Sequence, residues 1–318
     1  MFTPVLEIGG THVSAALVDP DTGTLAGPPL RAPLPAQGSA DAILGGVLEA
    51  AAGLPADPGA TWGVAVPGPF DHERGIACFE GVGKFEALYG VDVGAALRAG
   101  LPQAPGGLAF LNDAVAFGVG EHAAGAGRGH DRAVFVTLGS GVGSAFLADG
   151  TPVTAGPAVP PEGYAHLLTY DGRPLEDTVS RRGIRAAYAR AALDDTDVVP
   201  DVRAIAERAR EGDRSAGDVL DHAFRALGET LAPWLHRFGA TVLVVGGSIA
   251  ASWDLIEAPL QIGLGESPAP GPAVRTARHP EHAPLLGAGR WALRTCREPA
   301  PGGAVPPTMT GTSYAPAP

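Results

Sequence analysis

Leu6-Glu7-Ile8-Gly9-Gly10-Thr11 is an apolar strand that runs directly into a glycine turn. The same plan returns at Thr137-Leu138-Gly139-Ser140-Gly141-Val142-Gly143 and at Val244-Val245-Gly246-Gly247-Ser248. Because glycine lacks a Cβ, the backbone amides of such turns can approach a phosphate closely. The three segments therefore predict an α/β protein that binds a phosphorylated ligand.

A fourth strand, Phe110-Leu111-Asn112-Asp113-Ala114, ends in a lone carboxylate where a helix is predicted to begin. A carboxylate in that place can take a proton from a hydroxyl group. Together with the glycine turns, it predicts ATP-dependent phosphoryl transfer to a sugar-like alcohol. The alternative interpretations are that Asp113 caps the helix and that the turns are plain hairpins.

The spacing of apolar residues predicts one plan of elements that occurs twice, β-β-β-α-β-α, with each half opened by a hairpin around a glycine turn. The predicted strands are 4–9, 12–18, 62–66, 108–111, 133–138, 144–147 and 241–245, with a further strand after the turn at 20–23. The predicted helices are 39–53 (with Ser39 as N-cap), 86–99, 114–124, 176–192, 201–211, 215–237 and 283–293.

Composition excludes several functional classes. The 318 residues suffice for two domains, and the net charge of −12 without any run of basic residues disfavours nucleic-acid binding. Two distant cysteines without a CxxC pattern predict a reducing cytoplasm and no structural zinc. No signal peptide or membrane-spanning run of about 18 apolar residues is visible.

Five motifs in order, from about Val5 to about Leu293, resemble the ROK family of the sugar kinase/actin-like ATPase superfamily, whose kinases include glucokinases. The family's D-x-G-G-T, V-P-G-P, N-D-A and L-G-T-G-x-G motifs read here as Glu7-Ile8-Gly9-Gly10-Thr11, Val66-Pro67-Gly68-Pro69, Asn112-Asp113-Ala114 and Leu138-Gly139-Ser140-Gly141-Val142-Gly143. The fifth, Gly246-Gly247-Ser248, stands where the family contacts adenosine.

The chain departs from the family at four places. Glu7 replaces the opening Asp, and E-x-G-H survives only as Gly163-Tyr164-Ala165-His166 with Glu162 one place early. The cysteine cluster that holds structural zinc in the family is absent, so no zinc is expected. The sugar loop, usually N-L-x-x-W, reads Gly83-Lys84-Phe85-Glu86-Ala87-Leu88. Lys84 is interpreted as a solvated side chain, with recognition of an anionic or polar group as the alternative.

The resemblance implies a site for each substrate. Asp113 is expected to be the general base, and Glu7 to hold the Mg²⁺ of Mg-ATP through water. The residues expected to contact the acceptor are Asn112, Glu162, His166, Glu176 and Gly68. Those expected to contact ATP are Gly9, Gly10, Thr11, Thr137, Gly139, Ser140, Gly141, Gly246, Gly247 and Ser248. For His166 a structural role, and for Glu176 a first-turn helix charge, are the alternatives.

The resemblance also implies a two-domain actin-like ATPase (ribonuclease H-like) fold with the active site in a cleft between the domains. Residues 1–113, with the helix at about 283–297, are expected to form the smaller domain, and residues 114–282 the larger. The Pro-rich residues 298–318 are predicted to be a disordered tail. A homodimer is expected from the family alone.

Three rival functions stay open at this stage. A sugar-sensing ROK repressor would carry a winged helix-turn-helix before the first strand, which begins near Pro4, so this class is disfavoured. A non-catalytic sugar- or nucleotide-binding homologue would explain Glu7 and the altered E-x-G-H motif. A kinase for a cyclitol or amino-sugar intermediate of secondary metabolism would fit the unusual sugar loop.

Overall fold

The computed structural model describes residues 2–101, 103–192, 198–265 and 271–297. The strands are β1 (Thr3–Ile8), β2 (His12–Asp19), β3 (Thr24–Leu25), β4 (Leu30–Pro33), β5 (Thr61–Val66), β6 (Phe70–Asp71), β7 (Ile76–Ala77), β8 (Gly107–Asn112), β9 (Arg132–Leu138), β10 (Val142–Ala148), β11 (Thr151–Pro152), β12 (Thr169–Tyr170), β13 (Arg173–Pro174), β14 (Val242–Gly246) and β15 (Ala273–Thr276). The helices are α1 (Ala40–Ala52), α2 (Val93–Gly100), α3 (Asp113–Ala124), α4 (Glu176–Val179), α5 (Arg181–Ala192), α6 (Val202–Arg210), α7 (Arg214–Phe238), α8 (Trp253–Leu264) and α9 (Ala283–Arg297). The predicted tail, 298–318, lies outside the described residues.

Two mixed sheets repeat one topology. The first has the order β3-β2-β1-β5-β8, with β4 also on β2, and the second has the order β11-β10-β9-β14-β15. In each sheet the opening hairpin is antiparallel, and the next two strands are parallel to the first strand of that hairpin. Because β9 stands in the second sheet where β1 stands in the first, the predicted duplication is confirmed.

Helices cover both faces of each sheet, which explains why β5 and β14 are almost entirely buried apolar runs. Helices α1 and α2 pack on one face of the first sheet, and α3 and α9 on the other. Helix α3 also packs on the second sheet through Phe117 and Val119, while α5 to α8 cover the opposite face of that sheet. Helix α3 therefore lies between the two sheets.

Two predicted helices are wrong in extent because a polar N-cap interrupts each of them. The helix predicted over 86–99 is a short 3₁₀ turn at Glu86–Leu88, followed by α2, whose N-cap Asp92 accepts a hydrogen bond from the Ala95 amide at 2.7 Å. The helix predicted over 176–192 breaks at Ser180, which has extended backbone and caps α5 through the Gly183 amide at 3.2 Å. The apolar spacing also failed to predict α8, β15 and the two-residue strands β6, β7, β11, β12 and β13.

The predicted cap of α1 is confirmed, since the Ser39 hydroxyl accepts a hydrogen bond from the Ala42 amide at 3.3 Å. Helix α9 returns to the first sheet, where Leu285 and Ala288 pack against Val5 and Ala65. The exact domain boundaries stay a prediction. Within the described residues, no helix is long and apolar enough to cross a membrane.

Candidate active site

The predicted site residues gather at the carboxyl edges of the two sheets, where open α/β folds bind their ligands. In the first sheet, the parallel pairs Glu7–Ala65 and Val66–Asn112 bring the ends of β1, β5 and β8 together. The turn at 9–11, the segment 67–69 and Asp113 follow those ends directly. In the second sheet, Thr137 pairs with Gly246, so the turn at 139–141 lies beside Gly247 and Ser248.

The two edges meet at the start of α3. A Cβ placed on Gly143 would touch both the Ala114 side chain and the Thr137 hydroxyl. Ala114 follows Asp113 on α3, and Thr137 lies near the end of β9. The candidate base and the second glycine turn therefore approach each other from opposite sheets, as the predicted cleft requires.

The first turn is closed by its own backbone. The Gly9 amide donates to the His12 carbonyl at 2.8 Å, and the Thr11 carbonyl accepts from the Leu34 amide at 2.8 Å. Gly10 and Thr11 are exposed at its tip. This leaves the tip accessible to a ligand in the cleft.

Two residues from outside the second turn hold it, Glu176 through its side chain and Arg181 through its backbone amide. Glu176 Oε1 accepts a hydrogen bond from the Val142 amide at 2.6 Å, so Glu176 contacts the second turn, and its predicted contact with the acceptor stays a prediction. Arg181 donates its amide to the Gly139 carbonyl at 2.8 Å and its guanidinium to the Ser248 hydroxyl at 3.3 Å. Arg181 thus links the two segments predicted to contact ATP, although it belongs to none of the sequence motifs.

A glycine is required at the second of those segments. Gly247 has a φ of +85°, and a Cβ there would collide with the backbone of Leu138. The end of β9 and the turn at Gly247 are therefore in direct backbone contact.

Asp113 is not the N-cap of α3, so that alternative interpretation is wrong. Asn112 is the cap, since its Oδ1 accepts from the Ala114 amide at 3.0 Å and the Val115 amide at 3.3 Å. Asp113 Oδ1 also accepts from the Ala114 amide, at 2.8 Å. The amide nitrogen of the Asn112 side chain faces Gly68, 3.8 Å from where a Cβ on that glycine would lie.

Two carboxylates at the base of the cleft have raised pKa values. Burial raises the pKa of Asp113, while the charges of Lys84 and His72 and the Ala114 amide oppose the rise. Burial, and next the charge of Asp113, raise the pKa of Glu7 to about 7, against a smaller opposing effect of Arg31. The two carboxylates therefore interact, and a cation between them would be favoured.

Tyr164 lies between Glu162 and His166 in the sequence. Burial raises the pKa of Tyr164, and the charges of Glu162 and Asp113 raise it further. The His166 ring stacks on Tyr164 with centroids 5.2 Å apart. Glu162 has a φ of +56°, an uncommon conformation outside glycine. Tyr164 is a candidate acceptor contact that its place inside the altered E-x-G-H motif could have signalled.

Lys84 is partly buried, which contradicts its interpretation as a solvated side chain. Its Cδ lies 3.6 Å from where a Cβ on Gly10 would be, so the stem covers the first glycine turn. The loop that carries it borders a cavity of about 310 Å³ together with residues 36–38. One signal in the sequence could have singled it out, because Lys84 is the only lysine of the chain.

Among the residues that the structure describes, no group of three or more His, Cys, Asp or Glu side chains is arranged to hold a metal ion. Mg²⁺ needs fewer protein ligands, since one or two carboxylates with water and substrate phosphates suffice. The interacting pair Glu7 and Asp113 fits that requirement, because both are oxygen donors and both are desolvated.

Comparison with known proteins decides the family. The sequence model described as the ROK family matches residues 4–295. The chain belongs to the ROK family. A glucokinase from Thermotoga maritima is 29% identical over 279 residues, which cover 80% of this chain and 84% of that protein.

Solved ROK structures share the fold. A ROK hexokinase from Thermus thermophilus superposes with a TM-score of 0.75 at 22% identity, covering 93% of this chain and 99% of that one. A ROK family glucokinase from Streptomyces griseus, in complex with glucose and AMPPNP, gives 0.73 at 24% identity and covers 92% and 100%. These likenesses confirm the predicted actin-like ATPase fold of this ROK protein.

Proposed function

We propose that this ROK protein is an ATP-dependent sugar kinase, with a hexose as acceptor. The observation that carries the proposal is that Asp113 begins α3 at the point where the two sheet edges that carry the glycine turns meet. The likeness to a glucokinase over most of the chain, and to a structure that holds glucose and AMPPNP, supports the same function. Glucose is therefore the first acceptor to test.

In the proposed reaction, the acceptor hydroxyl lies beside Asp113. The Asp113 carboxylate takes the hydroxyl proton as the oxygen forms its bond to the γ-phosphorus of ATP. The bond from that phosphorus to the β,γ-bridging oxygen breaks, and ADP leaves with the electron pair. Asn112, whose Oδ1 is committed to capping α3, keeps its amide N–H groups for an acceptor hydroxyl, and Glu162 and His166 bind others.

The amides of the turns at 9–11 and 139–141 are proposed to hold the β- and γ-phosphates, where charge develops on the equatorial oxygens. Glu7, with Asp113 nearby, is the residue that would hold Mg²⁺ through water, and a bound Mg²⁺ would neutralise phosphate charge. Closure of the cleft over the acceptor is expected to exclude water as a competing acceptor.

The rival interpretation is a ROK homologue that binds sugar or nucleotide without catalysis. Mg-ATP turnover, followed by ADP release, should be measured with hexoses, ketoses, amino sugars and cyclitols. We expect one acceptor to stimulate turnover and Asp113→Asn to lower kcat by about 10³-fold, within the range of general-base effects. Unchanged AMPPNP binding and melting temperature would show that the variant is folded.

Two outcomes would contradict the proposal. Near-normal turnover by Asp113→Asn would exclude Asp113 as the base. Absence of stimulation by every acceptor, together with no binding of Mg-AMPPNP in calorimetry, would favour the non-catalytic homologue.

A further inference from the structure

Lys84 stands out by composition. The chain has 22 lysines and arginines, and every one except Lys84 is an arginine. The two side chains are not equivalent, because the ammonium is a compact charge with three donors on a flexible stem, whereas the guanidinium is a planar fork. Lys84 is therefore the one position at which the chain presents a compact ammonium instead of a guanidinium.

The surroundings of Lys84 set that ammonium apart from the other basic groups of the chain. Its stem lies against Gly10, at the tip of the first glycine turn, and its charge favours the ionised form of Asp113 more than any other group does. Within the described parts of the chain, its ammonium makes no hydrogen bond or ion pair. It is therefore a partly buried cation, without a protein partner, between a phosphate-type turn and a carboxylate.

The backbone around Lys84 is fixed on both sides. The Phe85 amide donates to the Ala36 carbonyl at 2.6 Å, and the Gly83 amide donates to Glu86 Oε1 at 2.8 Å. Phe85 is fully buried, with its ring centroid 5.2 Å from that of Phe79. Its φ of +58° is strained for a bulky residue, and such strain persists only where the surroundings enforce it. The loop thus presents Lys84 in one place before any ligand binds.

We propose that Lys84 is a catalytic residue whose ammonium binds an equatorial oxygen of the phosphoryl group during its transfer. This inference rests on the proposed kinase function, since the gap between Gly10 and Asp113 is where that function places the transferring group. A fixed cation there stabilises charge that grows in the transition state, without any change in the protonation of the lysine. The role concerns the rate of transfer rather than the affinity for the acceptor.

The kinetic test compares Lys84→Met, which keeps the length of the stem and removes the charge, with Arg74→Met. Arg74 is exposed on the turn between β6 and β7, so it is a control for loss of one positive charge. We expect Lys84→Met to lower kcat about 100-fold with the KM for acceptor and ATP changed less than threefold. Lys84→Arg should recover part of the rate, and added ethylamine should restore activity to Lys84→Ala in a saturable way. Arg74→Met should match the wild type.

The kinetic results distinguish failure of the Lys84 role from failure of the kinase function. A kcat within threefold of wild type in Lys84→Met, or a raised acceptor KM with unchanged kcat, would overturn the catalytic role of Lys84 and leave the kinase intact. A wild-type protein without turnover on any acceptor would overturn the proposed function and this inference with it.

A second measurement needs no turnover. Trinitrobenzenesulfonate modifies primary amines, so Lys84 is the only side-chain target of that kind, and its peptide can be followed by mass spectrometry. Mg-AMPPNP with the acceptor should slow its modification at least tenfold, whereas the acceptor alone should not. An equal rate with and without the nucleotide would contradict contact with the phosphoryl group.

Discussion

Glu7 stands where the resemblance predicts an aspartate, and its environment predicts how stability depends on pH. An ordinary glutamate has a pKa near 4.5, whereas burial and Asp113 raise that of Glu7 to about 7 in the folded protein. Between these values the folded state binds more protons than the unfolded state. The free energy of unfolding of the metal-free protein should therefore decrease as the pH rises from about 4.5 to about 7.

Replacement of Glu7 tests this directly. Glu7→Gln removes the charge and should stabilise the metal-free protein at pH 8, by up to about 3 kcal/mol, with little effect at pH 4.5. The same variant should weaken activation by Mg²⁺. Urea unfolding in EDTA at several pH values measures the first effect, with exposed Glu49→Gln as control. Equal stability of Glu7→Gln and wild type at pH 8 would show that Glu7 is not desolvated.

The sequence predicted some residues of the candidate site and missed others. Motifs located Asp113, Asn112 and the glycine turns, because those roles depend on local backbone. They did not locate Arg181, because its partners Gly139 and Ser248 are distant in sequence, and they passed over Tyr164 although it stands inside the altered E-x-G-H motif. The cap of α3 was assigned one residue late, since Asn and Asp are almost equally good caps and only the folded geometry separates them.

At the scale of elements, the spacing of apolar residues predicted most helices and strands. It also merged into one helix pairs of elements that a polar N-cap separates. The break at Ser180 places Arg181 against Gly139 and Ser248, and a continuous helix would not do so. The signal was present in the residue types, because Ser180 and Asp92 both favour N-caps. Apolar spacing alone continues through such positions, and tertiary contacts decide whether the chain turns there.

Helices α3 and α9 cross where glycines allow close contact. These glycines predict whether an added methyl group raises or lowers the free energy of unfolding. A Cβ on Gly287 would collide with the Ala116 carbonyl, and one on Gly120 with the Ala283 carbonyl, so the two helices touch through backbone. Gly287→Ala should lower the free energy of unfolding by about 1–3 kcal/mol, as overpacking does.

The matched control is Gly45→Ala, on an exposed face of α1 with no atom within 4 Å of the added methyl. It should raise the free energy of unfolding by about 0.5–1 kcal/mol, because alanine favours a helix interior. Thermal and urea unfolding of both variants measure the difference. The same sign for both would mean that the close contact of α3 with α9 is not formed.

At the scale of the molecule, the duplicated sheets place parts of each proposed ligand site on both sides of the cleft. The proposed ATP contacts come from the turns at 9–11 and 139–141, and the proposed acceptor contacts from Asp113 on one side and from Glu162 and His166 on the other. The order of elements in the sequence predicted this division, because each half repeats the same plan. The homodimer and the exact domain boundaries stay predictions.

A ligand that touches both sides stabilises the closed form of the cleft, so each substrate should favour binding of the other. We expect glucose, or the acceptor found in the turnover panel, to tighten AMPPNP binding by 5- to 150-fold, the usual range of such coupling. Linkage requires AMPPNP to tighten acceptor binding by the same factor. Calorimetry in both orders measures the two factors, and disagreement between them would expose an error in either titration. Equal affinities with and without the partner ligand would mean that the two halves do not close together, and that each site is complete on one side of the cleft.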